Sequence, residues 1–422
     1  MKSVFKISRK GKVKPIALST LSVPEDLDAK LALIQALIPL GLLAVAEALK
    51  QEVMTLAGER YSRKGGLPGI VRWGQQRGSV YLGDQKVAVT YRRLRDRAKN
   101  QEIPLRTYQG LQQPRQADHG MLLKILRGLS CRSYGECAET IPAAFGLSPS
   151  SLSRRFIRAS ARKLQQLLER RLESYDFVAL FLDGKTFSED EMVIALGITL
   201  SGHKVILGFI QTGTENERVC SAFLQGLLER GLRIDQGLLC IIDGAKGLHK
   251  AIGGVFGSFA LIQRCQWHKR ENIVSYLPKS QQAAWRRKLQ VAYEKPTYTE
   301  AQAELQRCRQ ELRLLNISAV ASLDEGMEET LTLHRLGLFS GLGASLKTTN
   351  CLESLLSQVA RRTGKVCRWR NSDQKQRWVA SALLDIEPRL RRVKGYRHLP
   401  LLRTMLQAGI QAKERMSQDC VA

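Results

Sequence analysis

Five short apolar runs between residues 177 and 265 form the clearest hydrophobic pattern in the chain, and each predicts a β-strand. In order they read FVALFLD, MVIALGITL, HKVILGFIQ, LLCIID and FALIQRC. Ser201-Gly202, between the second and third runs, is a two-residue hairpin signal, so the sheet is predicted to begin antiparallel. The fourth run is apolar throughout, which is typical of a central strand covered on both faces. Helices are predicted on either side of it, from about Asn216 to Arg230 and from Gly244 onward.

Three antiparallel strands, a helix, a parallel strand, a helix and a last strand follow one another in the order of a ribonuclease-H-like α/β domain. Residues 268–346 are charged, rich in Gln and without a strand pattern, which predicts an all-α insertion. A helix whose start is capped by Thr349 or Asn350 follows the insertion. We therefore predict a ribonuclease-H-like mixed sheet over residues 174–267 and 347–397, with a C-terminal tail over 398–422.

A strongly apolar segment from Leu27 to Leu56 predicts an N-terminal helix that is kinked or broken at Pro39. Such a broad apolar surface is an aggregation hazard unless it is buried. We predict that residues 1–57 form a separate segment that makes the protein a homodimer; packing within the chain is the alternative. The apolar side chains concerned are Leu31, Leu33, Ile34, Leu37, Ile38, Leu42 and Leu43.

A helix-turn-helix is predicted between residues 134 and 163. Gly146 permits the tight turn, Ser148 is a natural N-cap and Pro149 suits the first position of the second helix. An amphipathic surface helix with solvated arginines is the alternative. The side chains that the second helix would present to DNA, of types that reach phosphates and base edges, are Ser150, Ser151, Ser153, Arg154 and Arg158.

The distribution of charge along the chain indicates what kind of partner the protein binds. The formal net charge of +27 exceeds what solubility requires and predicts a polyanion. Residues 58–171 hold 23 Lys and Arg against 8 Asp and Glu, and residues 361–397 hold 12 against 3, including Arg361 and Arg362. We therefore predict a helical region over residues 58–173 that binds double-stranded DNA.

Cysteine spacing and hydropathy bear on the compartment. The nine cysteines form no C-x-x-C pair and no framework of the secreted type, which indicates reduced thiols. The one membrane-like stretch, from Leu31 to Ala46, is too short to span comfortably and contains Gln35, Pro39 and Gly41. These features predict a cytoplasmic protein with no membrane partner.

Isolated acidic residues at the ends of predicted elements supply candidate chemistry. Phosphoryl transfer on DNA is commonly run by carboxylates that hold two divalent cations about 3.5–4 Å apart. Asp183 ends the first predicted strand and Asp243 ends the fourth, at the edge where open α/β sheets place their sites. Glu353 lies in the capped helix after the insertion. Each acid alone has an ordinary interpretation, a turn former for the Asp-Gly pairs and a solvated helix acid for Glu353, and only their joint placement favours catalysis.

The chain resembles the mutator-type family of bacterial insertion-sequence transposases. The resemblance covers most of the chain from about residue 58 and is densest between 177 and 397. The blocks that carry it, in the family's order and at similar intervals, are FLDGKTF, VIALGITLSGHKVILGF, TENERVCSAFL, LLCIIDGAKGLHKAI, FGSFALIQRCQWHKREN, EETLTLHRLGL and TTNCLESLLSQVARRT.

The resemblance implies a DDE catalytic core whose triad falls on Asp183, Asp243 and Glu353, with two Mg²⁺ ions for which Mn²⁺ substitutes. Cys265-Gln-Trp-His268 matches the family's C-x-x-H element, which is interpreted as polar packing near the active site, with half of a zinc site as the alternative because a second ligand pair is lacking. Side chains near the triad that are expected to donate hydrogen bonds to DNA phosphates are Lys246, Lys250, His268 and Lys269.

The resulting expectation is a DNA transposase that binds the inverted repeats of its own element and a target DNA, and that works as a homodimer in the bacterial cytoplasm at the nucleoid. Two alternatives remain open. One is a structure-specific nuclease on the same core, and the other is a DNA-binding regulator without catalysis.

Overall fold

A computed structural model describes residues 3–7, 13–17, 27–61, 66–82, 85–112, 115–138, 144–187, 189–213 and 216–419 of the 422-residue chain. The chain divides into two compact units. The N-terminal unit contains Met1–Leu122 and Leu129–Phe156, and the C-terminal unit contains Leu123–Gly128 and Ile157–Ala422. None of the helices in the described residues is long and apolar enough to cross a membrane.

The N-terminal unit contains two antiparallel sheets and a long helix. Strands β1 (Ser3–Ile7) and β2 (Val13–Ala17) pair, and helix α1 (Leu27–Ala57) follows. Strands β3 (Ile70–Leu82), β4 (Gln85–Asp96) and β5 (Gln101–Ile103) form the second sheet, in that order. Buried side chains of α1 pack against this sheet through a cluster of Val45, Leu49, Val53, Val80, Leu94 and Leu105.

This sheet corrects the prediction of an all-helical region over residues 58–173. The strands were not predicted because Trp73, Gln75, Gln76 and Arg77 are all exposed, so β3 lacks the alternation of a half-buried strand. Helix α1 runs without a break through Pro39, so of the predicted kink or break the break does not occur. A single proline removes one intrahelical hydrogen bond, and the other bonds of the helix are kept. Of the apolar positions assigned to dimerisation, side chains up to residue 40 lie outside the described residues.

Shorter helices complete this part of the chain. They are α2 (Arg106–Leu111), α3 (Arg115–Leu126), α4 (Tyr134–Cys137) and α5 (Pro149–Leu168). Ser148 Oγ accepts from the backbone N–H of Ser151 at 3.4 Å, as expected of an N-cap residue. The first helix of the predicted helix-turn-helix is a single turn, shorter than expected, and residues 139–143 lie outside the described residues.

The C-terminal unit is built on a five-stranded mixed sheet in the order β10-β9-β6-β7-β8. Strands β6 to β8 are antiparallel neighbours and β9 is parallel to β6, as the sequence predicts, and β10 is parallel to β9. The strands are β6 (Phe177–Phe187), β7 (Asp190–Thr199), β8 (Lys204–Thr212), β9 (Leu238–Ile242) and β10 (Ala260–Arg264).

Helices cover both faces of this sheet, which explains why its strands are apolar at successive positions. On one face, Leu180 and Leu182 pack with Cys240 and Ile242 against α6 (Glu217–Glu229) and α7 (Lys246–Phe256). On the other face, Ala179 and Phe181 pack against later helices of the chain. These are α14 (Phe339–Leu346), α15 (Asn350–Thr363), α16 (Ser372–Ile386) and α17 (Leu399–Asp419).

The segment predicted as an insertion, residues 268–346, contains helices joined by short turns and no strand. Its helices are α8 (Gln266–Ser275), α9 (Lys279–Tyr293), α10 (Tyr298–Leu315), α11 (Ile317–Asp324), α12 (Met327–Thr330) and α13 (Thr332–Arg335). A separate hydrophobic core runs from Ile273 to Leu331, whereas Leu333 and the apolar side chains of α14 join the core of the sheet.

The expected C-terminal tail is instead part of the α/β core. Leu399, Leu402 and Leu406 of α17 are buried in the cluster under the sheet. Arg403 is also buried and donates to the carbonyl oxygens of Gly237 and Phe177, both at 2.7 Å. The prediction of a tail over residues 398–422 is therefore wrong, because apolar side chains of α17 are buried under the sheet.

Candidate active site

Asp183 and Asp243 lie side by side at the carboxyl edge of the sheet. Strands β6 and β9 are parallel, and Leu182 pairs with Ile242, so the next residue of each strand is an aspartate. Asp183 is 5% exposed, and Asp243 is half-buried. The Oδ1 atom of Asp243 accepts from the Ala245 N–H at 3.0 Å, which fixes the turn into α7. The prediction that these two strands are neighbours is confirmed.

Cys265 follows β10 at the position that corresponds to Asp243 after β9 and to Asp183 on β6. Arg264 of β10 pairs with Ile242, and the Cys265 N–H donates to the Ile242 carbonyl at 2.7 Å. Cys265 is fully buried, and α8 begins directly after it. His268 therefore lies in the first turn of α8, next to the two aspartates.

Glu353 is held at this edge through Thr349, the residue before α15. The backbone N–H of Thr349 donates to Cys265 Sγ at 3.4 Å, and its hydroxyl lies 3.6 Å from the same sulfur and 3.3 Å from His268 Nδ1. His268 Nε2 is 3.6 Å from Glu353 Oε1. Thr349 is the N-cap by position, but its side chain makes no capping hydrogen bond, because it bonds to Cys265 and His268. The C-x-x-H pair thus joins the start of α15 to the sheet edge.

The charges of the three acids are coupled. Burial raises the pKa of Asp183, and the neighbouring charges of Asp243 and Glu353 raise it further, to about 7, although His268 opposes this shift. Burial disfavours protonation of His268, but the hydrogen bond to Cys265 and the charges of Cys265, Asp183 and Asp243 outweigh it and raise the pKa to about 9. His268 is therefore cationic at neutral pH and offsets part of the acidic charge.

The donor atoms suit a hard divalent cation. Carboxylate oxygens are the ligands that Mg²⁺ prefers. Glu353 Oε1 is buried without a hydrogen-bond partner, so it retains the capacity to accept from a donor or a cation. In the described part of the chain, no three His, Cys, Asp or Glu side chains are already grouped as a metal site. The residues present fit the metal by chemistry, with His268 lying beside the carboxylates.

Arg264, which sequence reasoning missed, fixes the backbone after Asp243. Gly244 has φ +113°, and a Cβ at that position would lie 2.5 Å from Arg264 Nη2 and 2.6 Å from Cζ. Arg264 Nη1 donates to the Glu325 carbonyl at 3.0 Å and would lie 2.6 Å from a Cβ on Gly326. The buried guanidinium therefore lies between two glycines, one beside Asp243 and one in the insertion. The Asp243-Gly244 pair is the one sequence signal for this backbone position, and nothing in the sequence connects it to Arg264.

The basic residues predicted near the triad are placed differently from one another. Lys246 is exposed at the start of α7, whereas Lys250 is 3.8 Å from the Glu217 carboxylate. Lys269 is fully buried, with its Nζ on the Glu325 carbonyl, and burial lowers its pKa to about 8. Its position on the inner side of α8 removes it from any DNA-facing surface.

The remaining predicted DNA contacts lie on α15 and α5. Arg361 is exposed, whereas Arg362 Nε donates to Asp385 at 2.7 Å. On α5, Ser151 is half-buried. Of the other predicted contacts on that helix, Ser150, Ser153, Arg154 and Arg158 are exposed.

Comparison with known proteins gives a consistent set of matches. The family model described as "Transposase, Mutator family" matches residues 43–391. The transposase for insertion sequence element IS905 of Lactococcus lactis subsp. lactis (strain IL1403) is 28% identical over 283 residues, covering 64% of this chain and 70% of that protein. The transposase for insertion sequence element IS256 in transposon Tn4001 of Staphylococcus aureus is 27% identical over 280 residues, covering 63% and 69%.

Proposed function

Since this chain belongs to the Mutator family of transposases, we propose that it is a DNA transposase of the DDE type on a ribonuclease-H-like core. It binds the ends of an insertion sequence and catalyses metal-dependent strand cleavage and strand transfer. The observation that carries this proposal is the convergence of Asp183, Asp243 and Glu353 on one edge of the sheet. A polyanionic substrate fits the net charge of +27.

Each residue of the site has a defined part in the proposal. Asp183, Asp243 and Glu353 would hold two Mg²⁺ ions, or Mn²⁺ in their place, which activate the attacking oxygen and stabilise the leaving one. The reaction first adds water to a phosphodiester at the element end and frees a 3′-hydroxyl. That hydroxyl then attacks a phosphodiester of the target and displaces its 3′-oxygen.

The surrounding residues hold the carboxylates in place. Thr349 and Cys265 fix the start of α15, so the position of Glu353 depends on their hydrogen bonds. His268 lies against Glu353 Oε1 and supplies positive charge close to where the phosphate would bind. The burial of Asp183 keeps water from competing for its oxygens.

The test is a supercoiled plasmid that carries the inverted repeats flanking the coding gene. Asp183→Asn, Asp243→Asn and Glu353→Gln should each abolish cleavage and joining with Mg²⁺, while affinity for end DNA is retained. Asp235→Asn is the matched control, because Asp235 is an exposed carboxylate in the loop before β9. Cleavage by any of the three variants at the wild-type rate contradicts the proposal.

The same assay separates the two other functions. Nicked DNA without joined products would indicate a nuclease, and binding without cleavage by the wild-type protein would indicate a regulator. The relatives are named as transposases of insertion sequences, which favours joined products.

We also propose that the protein acts as a homodimer on nucleoid DNA in the bacterial cytoplasm, since two element ends must be held together. Leu43 of α1 is 56% exposed, whereas Val45 and Leu49 on the same helix are buried. Leu43→Glu should give a monomer in light scattering of the full chain. Thr55→Glu, at another exposed position of α1, should keep the dimer. An unchanged mass for Leu43→Glu would remove α1 from the interface.

A further inference from the structure

The hairpin of β3 and β4 carries a polar and basic face that the functional site does not use. In the antiparallel register, Gln75 lies opposite Arg92, and Arg77 lies opposite Thr90. Directly opposed residues share a face, and so do residues two apart on one strand, so these four side chains lie on the same side of the hairpin. Gln75, Arg77 and Thr90 are exposed, and Arg92 is half-buried.

The two arginines of this face are not neutralised. Within the residues that the structure describes, neither Arg77 nor Arg92 has an ion-pair or hydrogen-bond partner. Two nearby acids are used elsewhere: Asp96 Oδ1 accepts from the backbone N–H of Ala98 at 2.9 Å, and Glu102 accepts from Arg93 Nε at 2.8 Å. An unpaired guanidinium on a rigid strand is available to an anionic partner.

An aromatic side chain lies next to this face. Trp73 is 54% exposed, and the Arg95 guanidinium lies 4.6 Å from the centre of its ring. The hairpin has a register shift between Arg72 and Gly74, at the Trp73 position, which is the irregularity expected of a bulge. Exposed tryptophan and arginine together are typical of interaction surfaces.

Helix α1 packs beside this face of the hairpin, since Thr90 and Arg92 line the cleft between the hairpin and α1. Val45, Leu49 and Val53 of α1 pack against the hairpin. A cleft of about 420 Å³ lies between α1 and the hairpin, and its charged lining residues are Lys50, Arg60, Arg72 and Arg92 with one acid, Glu59. The charge on this surface complements a phosphate backbone.

We propose that the face formed by Gln75, Arg77, Thr90 and Arg92, with Trp73 at its border, is a duplex-DNA contact surface. A two-stranded β-ribbon fits the major groove. Arg77 and Arg92 bind phosphates, and Gln75 has the amide that reads the edge of adenine. The inference rests on the proposed function in one respect, namely that duplex DNA is the substrate. It adds a recognition element separate from the predicted helix-turn-helix.

The test uses the full chain and measures the affinity for duplex DNA carrying an element end as a function of KCl concentration. The double variant Arg77→Ala/Arg92→Ala should reduce the slope of log K against log[KCl] by about 2, since each phosphate contact contributes about 0.9. Arg77→Lys/Arg92→Lys keeps both charges and should keep the slope. It also shows that the hairpin tolerates substitution at these positions.

A matched control separates contact from bulk charge. Arg287→Ala/Arg313→Ala removes the same two charges from exposed positions of the helical insertion and should leave the slope unchanged. Gln75→Ala should keep the slope but reduce the preference for an element end over a scrambled duplex. A hairpin variant with the wild-type slope, or with the same loss as the control, overturns the inference.

Failure of this inference differs from failure of the proposed function. If Asp183→Asn abolishes cleavage while the hairpin variant keeps the wild-type slope, the transposase stands and the hairpin surface is wrong. If the hairpin variant loses slope while the triad variants still cleave, the hairpin surface stands and the catalytic assignment is wrong.

Discussion

Replacing Gly244 by alanine tests whether the backbone after Asp243 is fixed by Arg264. At φ +113°, a non-glycine residue costs about 1–3 kcal/mol in backbone strain. The added Cβ would lie 2.5 Å from Arg264 Nη2, and still closer to Nε. Arg264 cannot move aside cheaply, because its side chain is 8% exposed and its Nη1 is bonded to the Glu325 carbonyl at 3.0 Å.

The expected size follows from these two effects. Overpacking of this kind costs about 1–3 kcal/mol, so Gly244→Ala should destabilise the protein by about 2–6 kcal/mol in total. If the strain is relieved by moving Asp243 by about 1 Å, cleavage should fall by about 100-fold. Urea denaturation followed by tryptophan fluorescence measures the first effect, and single-turnover cleavage measures the second.

Gly253→Ala is the matched control. Gly253 lies within α7, and a Cβ there would meet nothing within 4 Å. This variant should therefore be more stable by about 0.5–1 kcal/mol, with normal cleavage. In an Arg264→Ala background, Gly244→Ala should destabilise the protein by less, because the steric overlap with Arg264 is absent. The part of the destabilisation that comes from backbone strain should remain. Wild-type stability and cleavage for Gly244→Ala would refute the role of Arg264, and an equal cost in both backgrounds would refute the clash.

Three further predictions concern the same region. In EDTA at pH 8, Asp183→Asn should be more stable than the wild type by a few kcal/mol. The pKa of Asp183 is raised from 3.8 to about 7 in the folded protein, so the free energy of unfolding of the wild type falls as pH rises across that range, and equal pH profiles for the two proteins would contradict this. Thr349→Val should lower the cleavage rate and reduce the folding stability by about 1–3 kcal/mol, since it removes the hydroxyl beside Cys265 and His268. Thr349→Ser should behave as wild type, and neither variant should change the affinity for DNA. Gln263→Leu should cost about 1–3 kcal/mol in urea denaturation, because it leaves the buried Leu333 N–H without its acceptor at 2.9 Å; an unchanged midpoint would show that the insertion is held by other contacts.

The strands of the C-terminal sheet, their order and the positions of two of the three acids follow from the amino-acid sequence. A continuous apolar run bounded by turn residues is a local signal, and parallel neighbours bring their carboxyl ends to one edge. The pattern of apolar runs is therefore sufficient to place Asp183 and Asp243 at that edge. Glu353 is placed by its capped helix and, more firmly, by the family resemblance.

The polar residues that surround those acids depend on how distant parts of the chain pack together. The burial of Lys269, the position of Arg264 between Gly244 and Gly326, and the bonds from Thr349 to Cys265 and His268 all join residues from separate elements. Strand β3 was not recognised because its central positions are exposed in succession and do not alternate with buried apolar ones. Periodicity reports which face of an element is buried, but it carries no information on which distant side chain covers that face.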